Sequence, residues 1–165
     1  MKKTIMMTIL LTLFIIPFTS FSLNMGDINY PDGYVPYYNE ISAVALAKLV
    51  WAEGRGCSKE EQAAIMWCVI NRVEHDTGWS NRLMDVLTAK GQFAYYTSSP
   101  VTPELYELAK DVLIRWDMER CGYENVGRTL PINYYYFTGD GEHNYFRANY
   151  NDRTYWDWSL PNPYE

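Results

Sequence analysis

The residue in this chain best placed for acid–base chemistry is Glu53. It follows the apolar run EISAVALAKLVWA and precedes a glycine-bracketed turn, GRG, and its spacing from Leu46 and Val50 puts it on their face of a helix. Burial disfavours the charged form of a carboxyl, and the negative end of the helix dipole acts in the same direction. Such a group keeps a proton to donate, as a general acid must. The residues alone leave open a structural ion pair with Arg55 or Arg72.

The composition limits which cofactors and partners are expected. The chain has two histidines, His75 and His143, and no paired cysteine motif, so a zinc site is poorly supplied and we expect no metal. The net charge of -6 and the lack of a basic stripe disfavour binding of nucleic acid through its phosphates. A neutral, locally recognised ligand such as a sugar is expected instead. Cys68 is expected to be buried, whereas Cys57 and Cys121 could pair in a disulfide that spacing alone cannot establish.

Five other residues are candidates for contact with a substrate: Gln92, Phe93, Tyr95, Tyr136 and His143. Gln92 lies between a glycine and Phe93, where its amide could hydrogen-bond an N-acetyl or hydroxyl group or could simply stabilise a loop. Tyr95 and Tyr136 could stack on sugar faces, although aromatic residues in strands also form cores. His143 could donate or accept a hydrogen bond with the substrate, or could serve the neighbouring hairpin turn.

Several of these residues belong to a pattern that resembles a known family. The signals are a Glu-x-Arg-Gly turn at Glu53, a Glu-x-Gln helix start at Glu60, the triplet Asn71-Arg72-Val73, and Gly91-Gln92-Phe93. In this order they resemble the cell wall hydrolase family that includes the spore cortex-lytic enzyme SleB. The stretch GDGEHNYF, which contains His143, is similar to a late strand of that family.

The resemblance implies a lysozyme-like fold, a peptidoglycan substrate, a catalytic glutamate at Glu53 and no organic cofactor. Two positions depart from the family pattern: Cys57 stands where many members have a second glutamate, and Glu61 replaces a usual glycine. With Glu53 as the one clear carboxylate on an apolar face, lytic transglycosylation is the expected reaction. A muramidase that uses a second carboxylate, with Asp140 as the first candidate, and a non-catalytic glycan-binding envelope protein are the alternatives.

The elements that must position these residues are four helices and a hairpin, an α+β arrangement in which a small, mainly helical domain carries an aromatic β-hairpin. Asn39 caps the first helix; Ser58 opens the second, with Glu61 completing a capping box; and the hairpin is centred on Asp140-Gly141. Asn71 is expected to satisfy backbone groups of the glycine turn. The other expected bounds are about His75 for the end of the second helix, Asn81 to Thr88 for the third, and Thr102 to Gly122 for the fourth.

The first residues, MKKTIMMTILLTLFIIPFTSFS, have the pattern of a secretory signal peptide spanning 1–22, with an uncleaved anchor as the alternative. An extended lead-in over 23–38 and a catalytic domain over 39–165 are expected to follow. After cleavage, the mature protein is expected to be a monomer that is secreted or held in the cell envelope and has no stable membrane association.

Overall fold

Four helices and one antiparallel hairpin make up the regular structure. The computed structural model describes residues 30–75 and 78–165, and the expected signal peptide lies outside these ranges. The elements are α1 (Glu40–Gly54), α2 (Lys59–Glu74), α3 (Leu83–Thr88), α4 (Pro103–Arg120), β1 (Tyr136–Gly139) and β2 (Asn144–Arg147). The expected α+β class is confirmed. Within the described ranges, no helix is long and apolar enough to cross a membrane.

The helix starts follow from capping side chains, as the sequence predicts. Asn39 accepts a hydrogen bond from the Ser42 amide at 2.9 Å, and Thr102 accepts one from the Leu105 amide at 3.2 Å. Helix α3 begins two positions later than expected, at Leu83, because Arg82 has an extended backbone (φ -115°, ψ 124°).

Helix α2 lies at the centre of the core and is buried on more than one face. Helical spacing predicts one buried stripe on α2, made of Ala63, Met66, Trp67, Ile70 and Val73, and these residues are buried. Residues outside the stripe are buried as well: Ala64, Ile65, Cys68 and Val69. Helices α1, α3 and α4 all pack against α2, which explains why a single amphipathic stripe underestimates its burial. The helical spacing of α4 predicts that Trp116 faces inward, but this residue is half-exposed. Its indole donates to Glu74 Oε1 at 2.8 Å.

The hairpin closes one end of this helical core. Phe137 pairs with Phe146 across the two strands, and their ring centroids are 5.4 Å apart. Phe146 is only 1% exposed, whereas its neighbour Tyr145 points outward, as the alternation of a strand requires. The expected turn at Asp140-Gly141 is present within a longer connection, and Gly141 takes φ +100° there.

The last eighteen residues form neither helix nor strand but pack along the core. The Trp156 amide donates to Phe146 O at 2.8 Å, and the Trp158 ring meets the Phe146 ring edge-on. Near the chain end, the Tyr164 hydroxyl donates to Asp111 Oδ2 at 2.8 Å. The segment therefore secures the hairpin and α4 together.

Candidate active site

A polar cleft of about 540 Å³ lies where the end of α1 meets the hairpin turn. One wall is the last turn of α1 with the glycine turn that follows, and the opposite wall is the connection between β1 and β2. The lining residues are Ala52, Glu53, Gly54, Arg55, Gly56, Cys57, Gly139, Gly141, Glu142, His143 and Asn144. Among the predicted site residues, the structure brings Glu53 and His143 to this cleft.

Glu53 is half-buried, and its carboxylate is held on one side. The Ala94 amide donates to Oε1, and no other donor to this carboxylate occurs among the described residues. Arg55 instead donates to Trp51 O at 3.2 Å, and Arg72 donates to Tyr135 O at 2.6 Å. The alternative of an ion pair between Glu53 and either arginine is therefore wrong.

The glycine turn beside Glu53 is stabilised by the side chain of Gln62, not by Asn71 as the sequence predicts. Gln62 Nε2 donates to Gly54 O at 3.2 Å and to Cys57 O at 3.1 Å, with a longer contact to Arg55 O. Asn71 Nδ2 donates at 2.8 Å to each of two carbonyls in the segment before the hairpin, at Pro131 and Tyr134. Gln62 is in reach because it lies on the first turn of α2, directly after the glycine turn.

A second glutamate, Glu61, is buried beside the cleft, and the sequence interpretation missed it. Only 5% of Glu61 is exposed; Oε1 accepts from the Asn144 amide at 2.5 Å and from Asn144 Nδ2 at 3.1 Å, while Oε2 lies 3.3 Å from His143 Nδ1. The prediction that Glu53 is the one carboxylate on an apolar face is thus wrong. The predicted capping box is only half correct. The Ser58 side chain accepts from the Glu61 amide, but the Glu61 side chain is directed to the hairpin and does not cap the helix.

A signal for Glu61 is present in the sequence. Its spacing from Ile65 and Cys68 is i, i+4, i+7, the same kind of evidence that singles out Glu53. Both Ile65 and Cys68 are fully buried. The same position also fits the capping box, so the sequence pattern alone is compatible with either role.

The cysteines are free thiols. Cys57 lines the cleft, Cys68 is buried as expected, and Cys121 is exposed, so the structure contains no disulfide between Cys57 and Cys121. Burial raises the pKa of Cys57 to about 12, and the hydrogen bond to Glu61 acts in the same direction. Cys57 is therefore a neutral thiol at neutral pH and a poor nucleophile.

Asp140, the candidate second carboxylate, belongs to the hairpin turn. Its pKa falls from 3.8 to about 2 because the His143 and Glu142 amides donate to it, as does the Tyr145 hydroxyl. It is ionised at neutral pH, as a base or nucleophile must be, but both of its oxygens already accept hydrogen bonds within the hairpin. It is also absent from the residues that line the cleft.

The predicted residues Gln92 and Phe93 are anchored to α2 through Arg72. Arg72 Nη1 donates to Gln92 Oε1 at 2.9 Å, and the guanidinium carbon lies 4.4 Å from the Phe93 ring centre. This attachment fixes the loop whose next amide, at Ala94, holds Glu53. Gln92 is exposed and is not among the residues that line the cleft.

The two predicted tyrosines lie outside the cleft. Tyr95 is half-buried against the core. Tyr136 is also half-buried; its ring centre is 5.8 Å from the Trp79 and Tyr150 rings, with Arg72 at 5.3 Å. The rings of Tyr136, Trp79 and Tyr150 form an aromatic surface beside β1.

Comparison with models of protein families, with curated proteins and with solved structures finds no match to this chain. Over the described ranges, no group of three histidine, cysteine or acidic side chains could hold a metal ion.

Proposed function

We propose that this chain is a secreted enzyme that cuts the β-1,4 bond between N-acetylmuramic acid and N-acetylglucosamine in peptidoglycan, on a lysozyme-like framework. The observation that carries the proposal is the half-buried Glu53 carboxylate, which opens onto a polar cleft, is held by one backbone amide and has no cationic partner among the described residues. The motif resemblance to cell wall hydrolases supports the choice of substrate. The proposal also includes stacking of sugar rings on Tyr95, Tyr136 and Phe93, which would occur beyond the cleft because none of the three lines it.

Glu53 acts first as an acid and then as a base. In the first step its proton passes to the glycosidic oxygen, the bond from that oxygen to the anomeric carbon breaks, and the N-acetylglucosamine leaves. In the second step the carboxylate takes the proton of the muramic acid 6-hydroxyl, whose oxygen attacks the anomeric carbon. The product carries a 1,6-anhydro ring, and no water is consumed.

The surroundings of Glu61 and Asp140 favour this route over a hydrolase that uses either of them as its second carboxylate. Glu142, which also lines the cleft, is the remaining candidate for that role. Glu61 is 5% exposed, and its oxygens are hydrogen-bonded to Asn144 and His143. The oxygens of Asp140 accept hydrogen bonds from residues of its own hairpin. A hydrolase of the ordinary kind needs a second carboxylate that faces the bond or an attacking water. Lytic transglycosylation needs Glu53 alone.

The test compares turbidity loss of purified cell walls with wild type, Glu53→Gln and the control Glu40→Gln, which removes the same charge from the first turn of α1. Glu53→Gln keeps the shape but cannot transfer a proton, so we expect a loss of roughly 100-fold or more, with Glu40→Gln unchanged. Mass spectrometry should show 1,6-anhydromuramic acid ends. Equal activity of wild type and Glu53→Gln would remove the assignment, and reducing muramic acid ends would favour the hydrolase.

The second candidate is a glycan-binding protein without catalysis. It would bind wall fragments through the aromatic surface that includes Tyr136 while leaving wall turbidity unchanged in wild type.

A further inference from the structure

Glu61 and His143 join the start of α2 to the hairpin turn at the edge of the cleft. Glu61 is 5% exposed, whereas 66% of the His143 side chain is exposed. The pair therefore has a buried carboxylate on one side and an imidazole that reaches solvent on the other. His143 is also one of the residues that line the cleft of Glu53.

The hydrogen bonds around Glu61 determine which imidazole nitrogen carries the proton. Oε1 already accepts from the backbone amide and the side-chain amide of Asn144. Oε2 lies 3.3 Å from His143 Nδ1. An ionised carboxylate only accepts hydrogen bonds, so Nδ1 must be the N–H donor. In a neutral imidazole, the other nitrogen is then an acceptor with a free lone pair.

Nothing in the described part of the chain occupies that second nitrogen: the one hydrogen-bond partner of the ring is Glu61. An acceptor at the edge of a polar cleft suits a ligand that donates. The free groups of a sugar that donate most readily are its hydroxyls.

We propose that Glu61 is a positioning residue that holds His143 in the Nδ1–H form, so that Nε2 accepts a hydrogen bond from a hydroxyl group of the glycan in the Glu53 cleft. This inference rests on the proposed function for the identity of the ligand. It assigns a role to Glu61 at the position where the resembling family has glycine, so it describes a feature of this chain.

The substitution Glu61→Gln tests the tautomer because it replaces one oxygen by an NH₂ group of nearly the same shape. The fixed Asn144 amide requires an oxygen opposite it, so the new NH₂ group faces His143 Nδ1. Nδ1 must then accept, and Nε2 becomes the N–H donor. The substituted protein thus presents a donor to the sugar hydroxyl where the wild type presents an acceptor.

The experiment is ¹⁵N NMR of the imidazole rings at about pH 8.5, where an ordinary imidazole is neutral. The chain has two histidines, so His75→Gln assigns the signals. We expect the Nδ1–H form of His143 in wild type and the Nε2–H form in Glu61→Gln. Glu60→Gln, which removes the same charge from the neighbouring position, should keep the wild-type form.

Wall digestion supplies the second readout. Glu61→Gln should lower kcat about tenfold while the thermal midpoint changes little, since the sugar hydroxyl can no longer donate to Nε2 and must reorient to accept from Nε2–H. A wild-type His143 in the Nε2–H form would overturn the proposal. Because this result comes from the wild-type spectrum, it holds even if Glu61→Gln does not fold. An unchanged tautomer or unchanged kcat in a folded Glu61→Gln would overturn it as well. Failure of the proposed function is distinguishable, because it shows as active Glu53→Gln or inactive wild type whatever the tautomer.

Discussion

Two glutamates near the cleft have different surroundings, and the difference separates their roles. Glu53 accepts one backbone hydrogen bond and opens to the cleft, so its carboxyl can exchange a proton with a ligand. Glu61 has donors on both oxygens and is 5% exposed, so it is suited to orient a neighbour. Removal of a buried acceptor lowers the free energy of unfolding because its donors are left without a partner. This explains why Glu61→Gln, and not an alanine, is the informative change.

Asp140 gives a residue-scale prediction about acid stability. Its folded pKa of about 2 lies below the ordinary value of 3.8, mainly because the His143 amide donates to it. The ionised carboxylate thus stabilises the fold above about pH 4, and the contribution disappears as the pH falls through about 2. We expect the advantage of wild type over Asp140→Asn in thermal midpoint to shrink across this interval.

The control for that prediction is Tyr145→Phe, which removes one of the donors to Asp140 and leaves both amides in place. The difference in thermal midpoint between wild type and Tyr145→Phe should depend on pH in the same way but be smaller. A constant difference between wild type and Asp140→Asn from pH 5 to 2 would contradict the role of the carboxylate.

At the scale of elements, the close approach of α1 to α2 depends on the last residue of α1. Gly54 is buried, and a methyl group there would lie 2.5 Å from Ile65 Cδ1 on α2. The approach brings Gln62 within reach of the Gly54 carbonyl and places the Glu53 end of α1 against the Asn144 side chain. The cleft geometry therefore depends on a residue without a side chain.

The corresponding prediction is a double-mutant cycle. Gly54→Ala should lower the free energy of unfolding by about 1–3 kcal/mol, the usual effect of overpacking a core. Ile65→Val removes Cδ1 and alone should lower it by about 0.5–1.5 kcal/mol. In the Ile65→Val background Gly54→Ala should have a smaller effect, measured by urea unfolding. Strict additivity would show that Ile65 is not the obstacle.

For the whole molecule, the ends of the described chain are part of the packing. The Tyr34 hydroxyl donates to Asp117 Oδ2 at 2.7 Å, and its ring meets Tyr123 edge-on. From the sequence, we expect removal of the lead-in to leave the fold standing. The structure shows that removing the lead-in also removes the half-buried Tyr34 ring and its hydrogen bond to α4.

Truncation tests both ends. The 39–165 fragment should fold cooperatively but with a free energy of unfolding lower by about 1–3 kcal/mol, from the lost burial and hydrogen bond of Tyr34. The 39–128 fragment should not fold, because it lacks Leu130 and Phe146, which are 0% and 1% exposed in the core. Circular dichroism during urea titration measures both, and Tyr34→Phe isolates the hydroxyl. A cooperative transition in 39–128 would refute this account of the hairpin.

The sequence by itself determined the local features of this protein. Asn39, Thr102 and the Asp140-Gly141 turn could be recognised because caps and turns depend on hydrogen bonds between residues a few positions apart. The same reasoning identified Glu53 as a carboxylate at the end of an apolar helix. These features need no knowledge of how distant segments meet.

The tertiary structure decided which side chains meet across the fold. The partners of Glu61 lie on the hairpin, and those of Asn71 lie in the segment that leads to it, both far along the chain. Helical spacing indicates which face a residue occupies but not which element covers that face. Gln62 and Asn71 are both amides on α2, and their roles differ because α2 runs from the glycine turn towards the far side of the core. That direction is a property of the packed molecule, and only the tertiary structure could reveal it.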